Sequence, residues 1–455
     1  MKTSIIRKMA VLTLAAGGLA SMTGCAQVVE ATYEVGTPVK VGLICLHDDS
    51  STYDANFINA LKDAAKELGS DKVIFEDASL LTGINEDQQC FNAAKKLVKQ
   101  GCNLIFADSF GHQDFMKQAA AKWKGVQFCH ATGTNAKTAN LSNYHNAFAS
   151  IYEGRYLAGV AAGLKLGLDY EAELATSGDG IKVGYVGAFP YAEVKSGYTS
   201  WFLGVRAGVE SLGGDPQKVT MDVRFTNDWY TPTGESSAAD ELIAGGAKLI
   251  SQHADSMGAP LKCAEKNIPN VSYNIETKDV SESCKNSYLA YSRINWAPYY
   301  EAVINAVYAG RPIEGETSQN WTGTIATNSV EYNVEWDNVV AGVTQDKEAK
   351  LATVKEQFEN IEKSMGTESF HVYNTKNFTV SADTVAAIKK AGGTIEVDGE
   401  GHVTSYLADT DGDFVGEQEV IKALGDAGDH YFAESEYCSA PYFDLDIEGI
   451  NLPRN

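Results

Sequence analysis

The sequence predicts an α/β protein built of two Rossmann-like lobes joined by a hinge, and three observations carry that prediction. Short apolar runs alternate with helical segments of roughly 10–15 residues, the pattern of parallel sheets covered on both faces. The series occurs twice, as seen when Lys40-Val41-Gly42 is laid over Lys182-Val183-Gly184. The chain is also long enough to core both copies, with 455 residues of which 44% are hydrophobic.

In the first copy, strand Val41–Leu46 leads through a polar loop to a helix over Ala55–Leu68, closed by Gly69, a residue suited to a positive-φ cap. Strand Lys72–Glu76, a helix around Glu86–Lys99 and strand Asn103–Ala107 follow, then helix Gln113–Trp123 and strand Val126–His130. The second copy repeats the order: strand Val183–Ala188, helix Tyr198–Leu212 with Gly213, strand Lys218–Phe225 and helix Glu235–Ala244. It continues through strand Lys248–Gln252, helix Ala259–Lys266 and strand Asn270–Asn274. The third strands end alike, in Ala107-Asp108-Ser109 and Ala254-Asp255-Ser256. From about Asp346 the pattern weakens. A helix is expected at Glu356–Met365, short strands at Phe370–Val372, Phe378–Val380 and Thr394–Val397, and an aromatic tail, Tyr431 to Phe443, packing on the second lobe.

The N-terminus has the layout of a secretory signal: Lys2, Arg7 and Lys8 precede an apolar run to about Met22 that ends in Thr23-Gly24-Cys25. At roughly 14 residues the run is short of the ~20 that a membrane-crossing helix needs. Small residues before a cysteine resemble a bacterial lipobox, which implies cleavage after Gly24 and acylation of Cys25, with Met22 standing where leucine is usual. Residues 1–24 are then a lipoprotein signal peptide and 25–37 a lipidated tether, holding the protein on the extracytoplasmic face of the cell membrane. Lobe 1 is expected to comprise 38–148 and about 277–325; lobe 2 comprises 149–276 and about 326–455, including a C-terminal extension.

Loss of the three leader cations takes the formal net charge from -23 to about -26, which disfavours nucleic acid and anionic membrane surfaces as partners. Setting Cys25 aside, seven of the eight cysteines remain, without CxxC pairs or zinc spacing. Cys45, Cys102 and Cys129 read as buried thiols, while a Cys90–Cys102 or Cys263–Cys284 bridge stays open. No metal or cofactor is expected. Asp409-Thr-Asp-Gly-Asp413 resembles a calcium loop but has Phe414 for the required glycine and Val420 for the bidentate glutamate, and reads as a solvated acidic turn. The nucleophile elbow, P-loop, HExxH and GxGxxG motifs are missing, so an enzyme is not expected.

In doubly wound sheets ligands bind beyond the C-terminal strand ends. The loops beginning at His47, Asp108, Phe189, Thr226, Asp255 and Asn274 should therefore face one another across a cleft. Several of these loops carry distinctive stretches: Tyr152-Glu-Gly-Arg-Tyr-Leu-Ala-Gly159, Val183-Gly-Tyr-Val-Gly-Ala-Phe-Pro190, Thr226-Asn-Asp-Trp-Tyr-Thr-Pro232, Gln252-His-Ala-Asp-Ser256 and Asn295-Trp-Ala-Pro-Tyr-Tyr300. Ser109-Phe-Gly111 and His130-Ala-Thr-Gly133 add to them. Through these stretches nearly the whole mature chain resembles the basic membrane protein (BMP, PnrA-like) family of ABC-transporter substrate-binding lipoproteins. The resemblance implies a type I periplasmic-binding fold, permease partners in an ABC importer, and recognition of a purine base or nucleoside.

A purine is flat and rimmed with donors and acceptors, so it calls for aromatic plates and in-plane polar groups. Tyr53 falls where the family has an aromatic, and Asp54 replaces its usual asparagine. Trp229 is the candidate opposite plate, with ~1–3 kcal/mol per stacked base as the scale. Phe110, Phe189 and Trp296 are further loop aromatics, while Tyr299 and Tyr300 read as core. Asp255 and Asp114 are candidate acceptors for an exocyclic amine or ring N–H, and Ser109 lies in the same set. Asn274 stands where the family commonly has a sugar-binding aspartate and Arg293 near a lysine of nucleoside binders, which leaves a free, adenine-like base favoured. His47, His130 and His253 read as hydrogen-bonding groups at strand ends. The alternatives are a sensor lobe for a membrane signalling partner, or a binder of another flat heterocycle such as thiamine or riboflavin.

Overall fold

A computed structural model describes residues 35–425 and 429–453. The signal peptide, Cys25 and most of the tether lie outside the described residues. In the first lobe β1 (Val39–Ile44) leads to α1 (Thr52–Leu68), β2 (Val73–Ile74), β3 (Leu80–Leu81), α2 (Gln88–Lys99), β4 (Leu104–Ala107), α3 (Gln113–Lys122), β5 (Gln127–Ala131), α4 (Ala136–Ala139) and β6 (Tyr144–Ala149). The second lobe runs α5 (Ile151–Asp169), β7 (Ile181–Gly187), α6 (Ala192–Ser211), β8 (Val219–Phe225), α7 (Pro232–Ala244), β9 (Ile250–His253), α8 (Gly258–Lys266), β10 (Asn270–Tyr273), α9 (Glu282–Ser287) and β11 (Tyr288–Ile294). The chain then crosses back for α10 (Ala297–Tyr308) and β12 (Asn320–Gly323), and returns for β13 (Val330–Val334).

The first sheet is ordered β12-β6-β5-β4-β1-β2, with β3 also on β1; the second is ordered β13-β11-β10-β9-β7-β8, with Ile450–Asn451 added at its edge. Pairing is parallel throughout both sheets except for β13 on β11. Each copy thus has the doubly wound order in which the winding reverses beside the first strand, between β1 and β4 in one lobe and between β7 and β9 in the other. The segment 277–325, expected whole in lobe 1, is divided, because β11 pairs in the second sheet whereas α10 and β12 pack in the first lobe.

Local chemistry explains the main elements. Ser51 caps α1 by accepting the Asp54 N–H, and Gly69 ends the helix at φ +83°. The buried face of α1, with Phe57, Ile58, Leu61 and Ala64, packs in one core with Trp296, Tyr299 and Tyr300 of the α10 region. Each large side chain so buried contributes about 1.5–3 kcal/mol. The expected strand Lys72–Glu76 is cut to two residues, because a 3-10 turn at Asp77–Ser79 hands the pairing with β1 over from β2 to β3.

Helix α5 carries the Tyr152–Gly159 stretch, and its glycines serve packing. A Cβ on Gly159 would lie 2.1 Å from the Trp201 carbonyl oxygen, and one on Gly204 2.0 Å from that of Tyr156. Gly159 and Gly163 on α5, and Gly204 and Gly208 on α6, recur at four-residue spacing and let the two backbones touch.

Beyond β13 come α11 (Trp336–Val339), α12 (Lys347–Met365) and α13 (Ala382–Lys390). The extension also holds a small sheet of Ile395–Val397, Val403–Ala408 and Gln418–Glu419, and a hairpin of Ile421–Leu424 with Asp429–Phe432. Phe370–Val372 and Phe378–Val380, expected as strands, are irregular around a 3-10 turn at Thr375–Asn377; Val372, Phe378 and Val380 plug the core without a ladder. Tyr442 and Phe443 join the core of the second lobe. Among the described residues no helix is long and apolar enough to cross a membrane.

Candidate functional site

The two winding reversals face each other, and the strand tips around them line one small cavity between the lobes, where ligands of doubly wound sheets bind. The lobes are closed over it. The Thr52 N–H and hydroxyl both donate to the Asp255 carbonyl oxygen, at 2.8 and 3.2 Å, and Phe110 stacks on Tyr191 across the cleft at 5.6 Å.

From the first lobe, the loop after β1 supplies Leu46, His47, Tyr53 and Asp54. The Tyr53 hydroxyl donates to the Asp108 carbonyl oxygen at 3.0 Å, which fixes its ring against the cavity. Asp54 accepts the His47 N–H at 2.8 Å and the Ser51 hydroxyl at 2.5 Å. Burial acts to raise its pKa, but these hydrogen bonds win and hold it below the usual carboxylate range. Asp108, behind Asp54, is pushed well up by burial and then by the Asp54 charge, so it is the protonated member of the pair. Burial draws His47 down, yet Asp54 more than offsets this and leaves it raised. Ser109 lines the cavity, but its hydroxyl is committed to Glu86 at 2.6 Å. His130, buried and drawn down to about 3 chiefly by burial, binds the Ser109 carbonyl oxygen through Nε2 at 2.7 Å.

From the second lobe come Glu193, Trp229, His253, Asp255 and Tyr273. Burial, then the charges of Asp54, Glu235 and Glu193, pushes Asp255 well above the carboxylate range. Glu193 Oε1 stands 3.5 Å from His253 Nε2, the outer limit of contact rather than a formed hydrogen bond. Both ring nitrogens of His253 and the Tyr273 hydroxyl are buried without a hydrogen-bond partner. The His253 ring lies against Gly197 of α6, where a Cβ would approach Nδ1 to 2.2 Å, and it contacts Tyr273 at 4.4 Å. Beneath Tyr273, buried Arg155 donates to the carbonyl oxygens of Ser272 and Gln252 and to the hydroxyls of Ser251, Ser292 and Tyr185, tying α5 to the ends of β9, β10 and β11. Among the described residues, the lining thus offers aromatic faces and three carboxylates, with no lysine or arginine.

Of the residues singled out from sequence, Tyr53, Asp54, Ser109, Phe110, Trp229 and Asp255 line this one cavity. Four do not. Asp114 faces solvent on the first turn of α3, paired with Lys117 at 2.8 Å. Trp296 is core, stacked on Phe57 at 4.3 Å. Phe189 stands behind Trp229, ring to ring at 5.1 Å. Asn274, buried at φ +69°, donates its N–H to the Ser292 carbonyl oxygen in the second sheet. Arg293 is held by Glu331 at 2.6 Å.

Lining residues not expected from sequence are Leu46, Thr132, Glu193 and Tyr273, with Tyr191 beside them, while His47 and His253, expected as strand-end hydrogen-bonding groups, also line the cavity. The duplication could have found Glu193, because it occupies the first turn of α6 as Asp54 does that of α1. The seven cysteines from Cys45 to Cys438 are all buried and unpaired, so neither bridge left open by the sequence is formed. In the acidic loop, Asp409 spends its two oxygens on the N–H groups of Asp411, Gly412 and Phe414.

The chain is 31% identical over 277 residues, 61% of its length and 67% of the relative's, to a protein named a purine-binding protein from Brucella abortus (strain 2308). It is 28% identical over 260 residues, 57% of its length and 58% of the relative's, to a Haloferax volcanii protein provisionally named an ABC transporter glucose-binding protein. Among solved structures, a solute-binding protein of an ABC transporter system from Aeropyrum pernix K1 aligns with TM-score 0.51 at 14% identity, covering 78% of this chain and 97% of that one. A transcriptional activator of the comK gene from Bacillus halodurans aligns with TM-score 0.53 at 18% identity, covering 73% and 99%. These two establish the fold alone. The family profile described as ABC transporter substrate-binding protein PnrA-like matches residues 42–365, and the chain belongs to that family, Bmp.

Proposed function

We propose that this protein is a lipid-anchored extracytoplasmic receptor that captures a free purine base, adenine-like rather than a nucleoside, and delivers it to the permease subunits of an ABC importer. The observation that carries this reading is the lining itself: aromatic rings from both lobes, with the carboxyl groups of Asp54, Glu193 and Asp255 and the unpartnered His253 ring and Tyr273 hydroxyl between them. An exocyclic amine or ring N–H can donate to Glu193, and the Asp255 carboxyl, pushed towards its neutral form, can donate to a ring nitrogen as well as accept. Tyr53 and Trp229 are the plates. The description of the Brucella relative as purine-binding supports the same ligand class. A glucose-like sugar is the second reading, favoured by the name of the Haloferax relative, since carboxylates and aromatic faces also serve sugar hydroxyls.

A thermal-shift screen with adenine, guanine, hypoxanthine, adenosine, thiamine, riboflavin and glucose tests it. Ligand at 100 times Kd stabilises by about 2.7 kcal/mol, which is about 5–10 °C for lobes of this size. Adenine should give the largest shift. Trp229→Ala and Asp255→Ala should each remove it, with unliganded melting unchanged, or slightly raised for Asp255→Ala because a buried and repelled carboxyl is lost. A shift from glucose alone, or purine shifts retained in both variants, overturns the reading.

A further inference from the structure

The chain beyond residue 365, outside the region matched by the family profile, reaches back to the cavity. It is rooted on the second lobe. The Tyr373 hydroxyl donates to the Ser196 carbonyl oxygen at 2.7 Å, Lys195 Nζ bonds Asp446 at 2.6 Å, and Ile450–Asn451 pairs with β8. Two of its contacts nevertheless go to the first lobe. The fully buried Ser439 hydroxyl donates to the Gly133 carbonyl oxygen at 3.0 Å, and Thr134 Oγ1 donates to the Asp411 carbonyl oxygen at 3.1 Å. The second contact is tight: at Gly412, with φ +80°, a Cβ would lie 2.4 Å from Thr134 Oγ1.

Thr132, the residue just before this grip, lines the cavity at φ +62°. A β-branched side chain in the left-handed region is strained, and such a conformation persists only where its surroundings over-determine it. The first lobe supplies one side of the constraint. Thr132 N–H donates to the Ala147 carbonyl oxygen at 3.1 Å and Thr134 N–H to Gln113 Oε1 at 2.6 Å. Gly133 is pressed so close to Asn146 that a Cβ would come within 1.9 Å of Nδ2. The other side is supplied from the opposite lobe, by Ser439 and Asp411.

We propose that Ser439 and the Asp409–Phe414 loop form a strap from the second lobe that positions Thr132 in the cavity and holds the lobes closed over the ligand. Both bonds run between the lobes, so any parting that separates Gly133 and Thr134 from the extension must break them. Their net worth favours the closed state by about threefold to tenfold each. The effect on ligand affinity rests on the purine reading above, whereas the effect on closure does not.

The test uses the full mature chain with Thr134→Val and Ser439→Ala, singly and together. Spin labels at Lys95→Cys and Glu241→Cys, on exposed helix positions of the two lobes in a Cys25→Ser background, report lobe separation by dipolar spectroscopy; the thiols from Cys45 to Cys438 are buried. Expected are longer and broader label distances in the variants without ligand, an adenine Kd raised about threefold to tenfold per variant through faster dissociation, and an unliganded Tm within about 2 °C of the parent. Thr134→Val alone, nearly isosteric and on the other lobe, reports the same contact should Ser439→Ala fail to fold. Unchanged label distances overturn the strap whatever the affinity does. Absence of adenine binding by the parent overturns the ligand assignment and leaves the distances to decide the strap.

Discussion

Gly197→Ala is a perturbation of one methyl group that should close the site from outside it. Gly197 lies inside α6, where alanine is favoured over glycine by about 1 kcal/mol. The new Cβ, however, would stand 2.2 Å from His253 Nδ1 and 2.8 Å from Cε1, against ~3.5–4.0 Å for normal carbon contacts. The backbone of α6 is locked by its glycine contacts with α5, so the imidazole must yield by more than about 1 Å. Tyr273 blocks one direction at 4.4 Å and Glu193 stands 3.5 Å from Nε2, so the ring is driven towards the cavity. Overpacking costs about 1–3 kcal/mol, which against the helix gain leaves a net loss of stability of roughly 0–2 kcal/mol. Loss of one ligand hydrogen bond together with the intrusion should weaken adenine by about 10- to 100-fold. Calorimetric titration of Gly197→Ala, His253→Ala and the double variant measures the coupling. The double variant should bind no worse than His253→Ala alone. Affinity equal to the parent in Gly197→Ala, or the same loss whether or not His253 is present, would refute this account.

Gly204→Ala should cost at least about 2 kcal/mol by chemical denaturation, because its Cβ would meet the backbone of α5 at the Tyr156 oxygen, 2.0 Å away, and backbone cannot step aside; its adenine Kd should match the parent's, and a stability change under 0.5 kcal/mol would contradict the close-packed seam. Arg155→Lys should destabilise by about 3–5 kcal/mol, since one ammonium cannot reach the carbonyl and hydroxyl oxygens that the guanidinium spans; a loss below 1 kcal/mol in urea melts would show the network to be dispensable. For pH, burial first of all raises Glu153 and Glu235 to about 7 and Glu434 to about 8. A carboxyl with a raised folded pKa retains a proton that the unfolded chain has released, so its contribution declines as pH climbs from ~4.5 through the folded value. The buried histidines, lowered in the fold, act in the opposite sense only while the unfolded chain still binds protons, below about pH 6.5. Tm should therefore fall between pH 6.5 and 8.5, and Glu434→Gln should flatten that fall; a Tm that rises across the window would contradict it.

Much of the site was legible because a doubly wound sheet has one place for a ligand. Tyr53, Asp54, Ser109, Phe110, Trp229 and Asp255 follow the tips of β1, β4, β8 and β9, and those tips meet. Asp114 misled because helical phase decides direction: a 3-10 turn at Phe110–His112 precedes α3, and the carboxylate turns to Lys117 and solvent. Trp296 misled because an aromatic beside a loop is as useful to a core as to a ligand, and here Phe57 receives it. Thr132 and His253 fall in stretches the sequence marks, but nothing in the sequence aims either side chain at the ligand. What places them is a positive φ in one case and the missing Cβ of Gly197 in the other.

The sequence by itself determined the alternation of strand and helix, the duplication, the acidic charge and hence the two-lobed α/β class, since these depend on periodicity and composition along the chain. The tertiary structure alone decided which carboxylates lose their solvent and face one another, that the α5 and α6 glycines bring backbones into contact, and that the tail crosses the cleft to Gly133 and Thr134. The physical reason is that burial, mutual charge and close packing are properties of groups distant in sequence, and they come into being only when the lobes assemble.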